Sequence, residues 1–240
     1  MIRPVLRAVF FDVGGTLLRP YPSVGTVYAR VGERHGFNAG ADEWDRAFRA
    51  GWKSAKAAEG RSLTTADKLW WRALVFRAVD SLGLGGNDRV RHDYFEELYA
   101  AFARADAWQL YPGVLEVLRA VRVRGGLHLG VISNWDARLR PLLKELRLDA
   151  RFDSITVSCE VKAEKPAREI FETALRVAGV LPAEALHVGD SLEEDVRGAE
   201  AVGMRAILID RQGEPKSPGA VVGDLSEIAA VLGQDFPKNS

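Results

Sequence analysis

The hydrophobic pattern changes its period twice along the chain. Residues 6–11 (Leu-Arg-Ala-Val-Phe-Phe) are a short, mostly apolar run ending at Asp12, which predicts a buried strand. Val13-Gly14-Gly15-Thr16 follows as a glycine turn, and Pro20 and Pro22 interrupt any regular structure after it. From residue 23 to about 108 apolar positions recur at helical spacing. They are Val24, Val27, Tyr28 and Val31, then Trp44, Ala47 and Phe48, then Leu69, Ala73 and Phe76, then Phe95, Leu98, Tyr99 and Phe102. Breaks near residues 36–40, 60–65 and 83–87 divide this stretch into four helices, with Thr65 and Asp88 as candidate N-caps.

Beyond Tyr111-Pro112-Gly113 the pattern alternates. Residues 127–132, 154–157, 185–188 and 205–209 read as strands, and residues 114–123, 138–146, 168–178, 193–201 and 225–232 as helices. Alternation of this kind predicts a parallel sheet with helices on both faces. The strand at residues 6–11 has no other sheet to join. The fold class is therefore α/β, a Rossmann-like parallel-sheet core (1–19 and 109–240) interrupted by an all-helical insertion (20–108). The tail, 235–240, is expected to fray.

Charge and composition narrow the function. Lys+Arg and Asp+Glu are both 33, so the net charge is zero, which argues against a general nucleic-acid binder. Hydrophobic residues are 47% and charged residues 28%, a globular balance, and no apolar run approaches the ~20 residues that span a bilayer. Residues 1–7 carry no long apolar segment, so no signal peptide is expected. Cys159 is the single cysteine, which excludes an intrachain disulfide and a cysteine zinc site and makes the cytoplasm the expected compartment.

The chemistry gathers at the carboxyl ends of the strands, where open parallel sheets bind ligands. Asp12 ends the first strand, Ser133-Asn134 follow the strand ending at Ile132, and Gly189-Asp190-Ser191 follow the strand ending at Val188, with Asp195 one helical turn on. Lys165-Pro166 precede the helix at residues 168–178. This set suits phosphoryl chemistry, in which one carboxylate attacks, a hydroxyl and an ammonium hold the developing charge, and further carboxylates bind a divalent cation.

Phe11-Asp12-Val13-Gly14-Gly15-Thr16-Leu17, Val131-Ile132-Ser133-Asn134, Lys165-Pro166, and Val188-Gly189-Asp190-Ser191 with Asp195 resemble, in order, the four motifs of the haloacid dehalogenase superfamily of hydrolases. The resemblance spans nearly the whole chain, and in it the helical insertion lies where the family carries a cap. It implies Asp12 as the nucleophile, with Ser133 and Lys165 binding the transferring group. Asp12, the Gly14 carbonyl and Asp190 would ligate Mg²⁺, and Asp195 would ligate it or orient a metal-bound water. Thr16 and Asn134 would shape the substrate site. Lys165 is also expected to lower the Asp12 pKa, as a neighbouring cation does. The substrate implied is a small phosphorylated molecule, with no nucleic acid or membrane as partner.

The sequence departs from the family pattern at one position. Phosphatases of the family have a second aspartate two residues after the nucleophile, which protonates the leaving alcohol and then activates water. Here that position is Gly14, and loss of a general acid or base costs about 10²–10⁴-fold in rate. Two alternatives follow. One is carbon–halogen hydrolysis of a small haloacid, for which Arg30 or Arg34 would cradle the halide. The other is a weak or inactive relative that binds a ligand or partner. A Schiff-base lysine in the insertion, Lys53, Lys56 or Lys68, is a further possibility within the family, although such lysines are more often solvated.

Other conspicuous residues read as structural. Trp70 and Trp71 are adjacent and cannot share a helix face, so at least one belongs to the core; Trp44 and Trp52 are given no ligand. His128 and His187 lie on strands and are expected to be packed, His35 and His92 to be exposed, and Cys159 to be a buried inert thiol. Arg119, Arg122 and Arg124 read as a solvated helix face.

Overall fold

The structure, a computed structural model, describes residues 5–57, 67–123, 126–211 and 220–228. The break at 60–65 with Thr65, Arg124, the side chain of Lys56, the end of the helix at 225–232 and the tail at 235–240 lie outside the described residues. The chain divides into two compact units, residues 1–18, 110–135 and 147–240 in one and 19–109 with 136–146 in the other.

In the first unit, β1 (Ala8–Phe11) is the centre of a parallel sheet. The chain leaves it through β2 (Leu18–Pro20) and returns through β3 (Trp108–Leu110), which pair as a separate ribbon. After α5 (Val114–Val123) come β4 (His128–Ser133), β5 (Ser154–Val157), β6 (Ala185–Gly189), β7 (Arg205–Ile209) and β8 (Ala220–Val222). The sheet order is β5-β4-β1-β6-β7-β8. Successive connections run to opposite sides of β1, so the crevice beyond its carboxyl end is the topological switch point. Phe11 lies abreast of both Val131 and Val188, which brings the chain after β1, β4 and β6 out at one edge. Every residue of β1 is buried, as expected of a strand covered on both faces. Phe10 and Ile132 pack with Ile170, Phe171 and Leu175 of a helix spanning Arg168–Ala178.

In the second unit, α1 (Val24–Arg34), α2 (Ala41–Ala57), α3 (Lys68–Ser81) and α4 (Asp88–Ala101) enclose an aromatic core. Ser23, Asp67 and Asn87 cap α1, α3 and α4 by accepting the backbone N–H of Thr26, Leu69 and Val90. The cap of α4 is therefore Asn87 and not Asp88, which is the first helical residue. The next helix, α6 (Leu139–Glu145), joins this unit although the sequence pattern assigns residues 138–146 to the sheet domain. The reason is a half-buried polar knot. Tyr99 donates to Asp136 (3.0 Å), Arg138 pairs with Asp136 (2.6 Å), and the Arg138 guanidinium lies 3.6 Å from the Tyr99 ring centre.

Two further helical segments of the first unit differ from the pattern. A short helix, α7 (Ser158–Val161), precedes α8 (Arg168–Ala178). The predicted helix at 193–201 is instead a π-helical stretch, Leu192–Arg197, followed by α9 (Gly198–Ala201). Among the described residues no helix is long and apolar enough to cross a membrane.

Candidate active site

The first unit brings Asp12, Ser133, Lys165, Asp190 and Asp195 together at the carboxyl edge of the sheet. Ser133 Oγ donates to Asp12 Oδ1 (2.9 Å), and Lys165 Nζ donates to the same oxygen (2.7 Å) and to Asp195 Oδ1 (2.5 Å). Asp12, Ser133, Lys165 and Asp195 are all buried. A buried ammonium bridging two carboxylates is costly unless each charge is paired, and such burial marks functional sites.

The backbone explains how these groups meet. Gly15 has φ of +83°, and a Cβ there would lie 2.2 Å from Asp190 Oδ2. Only glycine lets the loop after β1 pass Asp190 that closely. Gly189 plays the same part for Asp195, whose carboxyl carbon would be 2.1 Å from an added Cβ. The close approach of Asp195 coincides with the π-helical stretch, a deformation often found at functional sites.

Asn134 clasps Lys165. Its Oδ1 accepts the Lys165 N–H (2.7 Å) and its Nδ2 donates to the Lys165 carbonyl (2.9 Å) and to Glu194 Oε2 (3.2 Å). Expected to shape the substrate site, Asn134 is a positioning residue for Lys165 in this structure. Thr16 is fully buried and donates to Asp190 Oδ1 (3.3 Å), so it steadies that carboxylate.

The electrostatics sort the carboxylates. Burial raises the pKa of Asp12, and the Lys165 ammonium only partly opposes it. Lys165 does lower the Asp12 pKa as expected, but desolvation and the negative charge of Asp195 outweigh it. Asp195 is also penalised by burial, yet Lys165 and His187 hold it well below the usual carboxylate range. Burial raises Asp190 to about 7, with the charges of Asp12 and Asp195 adding to the rise. Its side chain still reaches solvent at the mouth of the cluster, so dense surroundings, not full enclosure, are the source. For Lys165 burial alone would lower the pKa, but the two carboxylates raise it above the ordinary lysine value.

The donor set fits a divalent cation. Asp12, Asp190 and Asp195 each offer an oxygen, all within 4.8 Å of one another. Three ionised carboxylates around the Lys165 ammonium carry two negative charges in excess among these described residues. Oxygen ligands and that excess suit a hard dication. Asp195 is the least available ligand. Its Oδ1 takes Lys165 and His187, and its Oδ2 takes the Ser191 N–H (3.0 Å).

Several contributors were not singled out by the sequence. His187, read as a packed strand residue, is indeed fully buried but also holds Asp195 through Nε2 (2.9 Å). Its Nδ1 meets no hydrogen-bond partner among the described residues. The strand period contained the signal, since His187 lies two residues before Gly189 and shares its face. Arg211, just beyond β7, donates to the carbonyls of Gly15 and Thr16 and stacks on Tyr111 at 3.6 Å. It braces the loop after Asp12. Trp135 lies against Gly14, whose added Cβ would be 3.1 Å from the indole.

The remaining expectations fall out as follows. In the helical unit Arg34 pairs with Glu97, as does His35, which is half-buried and not exposed. Arg30 and Lys53 are exposed, and Lys68 pairs with Glu96 (2.6 Å). Trp44 and Trp70 are core residues. Cys159 is half-buried, less enclosed than expected. Arg122 pairs with Asp153 (2.9 Å) and Arg119 is exposed.

Comparison with known proteins agrees with this geometry. The family model of haloacid dehalogenase-like hydrolases matches residues 6–203. Haloacid dehalogenase-like hydrolase domain-containing protein 3 of Bos taurus is 35% identical over 209 residues, 85% of this chain and 82% of its own. A phosphoserine phosphatase of Thermus thermophilus is 38% identical over 165 residues, 66% of this chain and 64% of its own. The crystal structure of a HAD phosphatase from Thermococcus onnurineus matches with a TM-score of 0.65 and 27% identity, over 95% of this chain and 98% of that one.

Proposed function

The chain belongs to the haloacid dehalogenase-like hydrolases, and we propose that this hydrolase is a Mg²⁺-dependent phosphatase acting on a small phosphorylated metabolite through an aspartyl-phosphate on Asp12. The observation that carries the reading is the convergence of Ser133 and Lys165 on one oxygen of Asp12. That oxygen is doubly held, and Oδ2 accepts no hydrogen bond among the described residues, which leaves it for attack on phosphorus. Lys165 and Ser133 then face the oxygens of the transferring group and stabilise its charge. Asn134 keeps Lys165 in place, while His187 and the Ser191 N–H keep Asp195 ionised behind it.

Asp12, the Gly14 carbonyl and Asp190 would hold Mg²⁺, with Asp195 orienting its water, and the chemistry supplied there is charge neutralisation on the phosphoryl group. The helical insertion serves as the cap and source of specificity in this reading, with the substrate and the protein in the cytoplasm.

The test is phosphate release from p-nitrophenyl phosphate with and without Mg²⁺, with Asp12→Asn as control. Metal-dependent release lost in the variant is the expected result; equal release by the variant overturns the reading. One observation favours carbon–halogen hydrolysis instead: with Gly14 there is no acid to protonate a leaving group, and a halide needs none. The acidic cluster and the pairing of Arg34 with Glu97 weigh against it. Chloride release from a haloacid without metal would establish it. Metal binding with no turnover of either substrate would favour a binding role.

A further inference from the structure

Among the described residues, the hydrogen-bond donors around Asp12 are already engaged. Lys165 is held between the carboxylates of Asp12 and Asp195, Ser133 already donates to Asp12, and Asp190 and Asp195 are the carboxylates given to the cation and its water in the reading above. Thr16 donates to Asp190. The loop residue nearest in sequence with room to contribute a side chain is position 14, and there the space is taken. A Cβ on Gly14 would lie 3.1 Å from Cζ3 of Trp135, tighter than ordinary van der Waals contact, so the indole must give by a few tenths of an ångström to admit a side chain. The backbone that carries the indole is fixed in place. Its backbone N–H donates to Ser158 Oγ (3.0 Å), and its carbonyl accepts from Ser158 Oγ (3.0 Å) and from the Cys159 N–H (3.3 Å). Ser158 is itself buried, and Trp135 is only 9% exposed. An aromatic ring on a fixed backbone thus fills the space that a side chain at position 14 would need.

We propose that Trp135 is a specificity-determining residue, and that the site takes phosphorylated substrates whose leaving group departs as an anion, namely aryl phosphates, acyl phosphates and phosphoanhydrides. The proposal rests on the phosphatase reading above. In the first step an Asp12 carboxylate oxygen forms a bond to phosphorus, and the bond to the leaving oxygen breaks with its electron pair and no proton. In the second, water attacks phosphorus, Asp12 leaves as carboxylate, and both protons of the water end on the phosphate. The sum is a phosphomonoester dianion plus water giving the leaving oxyanion plus dihydrogen phosphate.

The experiment is a leaving-group series, from nitrophenyl through phenyl to an alkyl phosphate, on the full chain with Mg²⁺. The wild type should fall by at least ~10²-fold in kcat/KM from the nitrophenyl to the alkyl ester. Gly14→Asp alone should gain nothing on the alkyl ester, because the indole blocks it. Gly14→Asp combined with Trp135→Leu should gain about 10²-fold on that ester and flatten the series. Equal wild-type rates on alkyl and aryl esters overturn the proposal, as does a flattening by Gly14→Asp alone. A second readout does not depend on turnover. Gly14→Ala should lower Tm by about 2–6 °C in the wild type and by less with Trp135→Leu or Trp135→Phe. Equal shifts in the three backgrounds mean that the ring does not fill the space, and the proposal falls. Release of no phosphate from any ester, with the Tm coupling intact, removes the phosphatase reading and the substrate class with it, while the steric pairing of Gly14 and Trp135 stands.

Discussion

The two units bury polar atoms in opposite ways. In the helical unit, apart from the Asp136–Arg138 pair, they are the tips of large rings. Tyr94 is fully enclosed and donates to the Tyr28 carbonyl (3.3 Å), and Trp44, Tyr28, Phe37 and Tyr94 meet at tilted or edge-on angles with centres 4.9–6.5 Å apart. In the sheet unit the buried polar groups include a cluster of charges, carboxylates around the Lys165 ammonium. The first arrangement stabilises with no chemistry on offer. The second is poor as a stabilising device, since desolvation offsets the attraction, but it holds Asp12, the proposed nucleophile, between donors. The aromatic region is the more conspicuous in sequence, yet the proposed reacting groups sit in the plainer one.

Removing the charges should separate the units most sharply. Lys165→Met leaves Asp12 and Asp195 buried with no counter-ion. We expect a loss of about 3–5 kcal/mol in denaturant unfolding, with turnover abolished. Asp12→Asn should abolish turnover equally but leave Tm in the absence of divalent ions unchanged or higher, because it relieves the crowding of carboxylates and keeps the Lys165–Asp195 pair. A large destabilisation by Asp12→Asn would show that the cluster is structural, and the contrast between the units would fail.

The aromatic counterpart acts on stability alone. Trp44 has no exposed surface, and Trp44→Ala should cost about 3–5 kcal/mol. Its indole N–H meets no partner among the described residues. Trp44→Phe should therefore cost within about 1 kcal/mol, since the lost contact is offset by removing an unpaired buried donor. Hydrolysis of p-nitrophenyl phosphate by Trp44→Phe should match wild type; a clear fall would draw the aromatic core into the chemistry.

How much of this was readable in the chain follows from the physics of each element. The strands β5 and β7 and the helices α5 and α8 begin and end where the period predicts, because each is long enough to show it and faces one core. The three-residue strands β2, β3 and β8 and the four-residue α7 are too short to display any period. Periodicity says that α6 has an apolar face but not which unit covers it; that choice is made by Asp136, Arg138 and Tyr99. The cluster residues stood out as charged groups at apolar strand ends. Their supports did not. His187 and Trp135 look like core residues until a partner is known, and Arg211 is one arginine among many exposed ones. The π-helical stretch at Leu192–Arg197 coincides with the approach of Asp195 to Gly189, a distance that no helical pattern encodes.

The smallest expected effect lies at the edge of the charged cluster and reports on the cation. Asp190 is lifted from 3.8 to about 7, so between those values the folded chain holds a proton that the unfolded chain has lost. Without divalent ions, its contribution to stability is full below about pH 4 and is lost as the pH rises towards 7. Because the side chain reaches solvent, the change should be modest. A divalent cation reverses the preference by favouring the ionised carboxylate. Mg²⁺ should then raise Tm more above pH 7 than at pH 5, by the equivalent of about 2.7 kcal/mol at a hundredfold excess over Kd. Thermal unfolding of wild type and Asp190→Asn across this range, with and without Mg²⁺, measures both slopes. The variant should lose the acid-side gain in its metal-free form and most of the Mg²⁺ response. A variant that keeps both would move the ion away from Asp190 and leave the excess negative charge of the cluster without its counterpart.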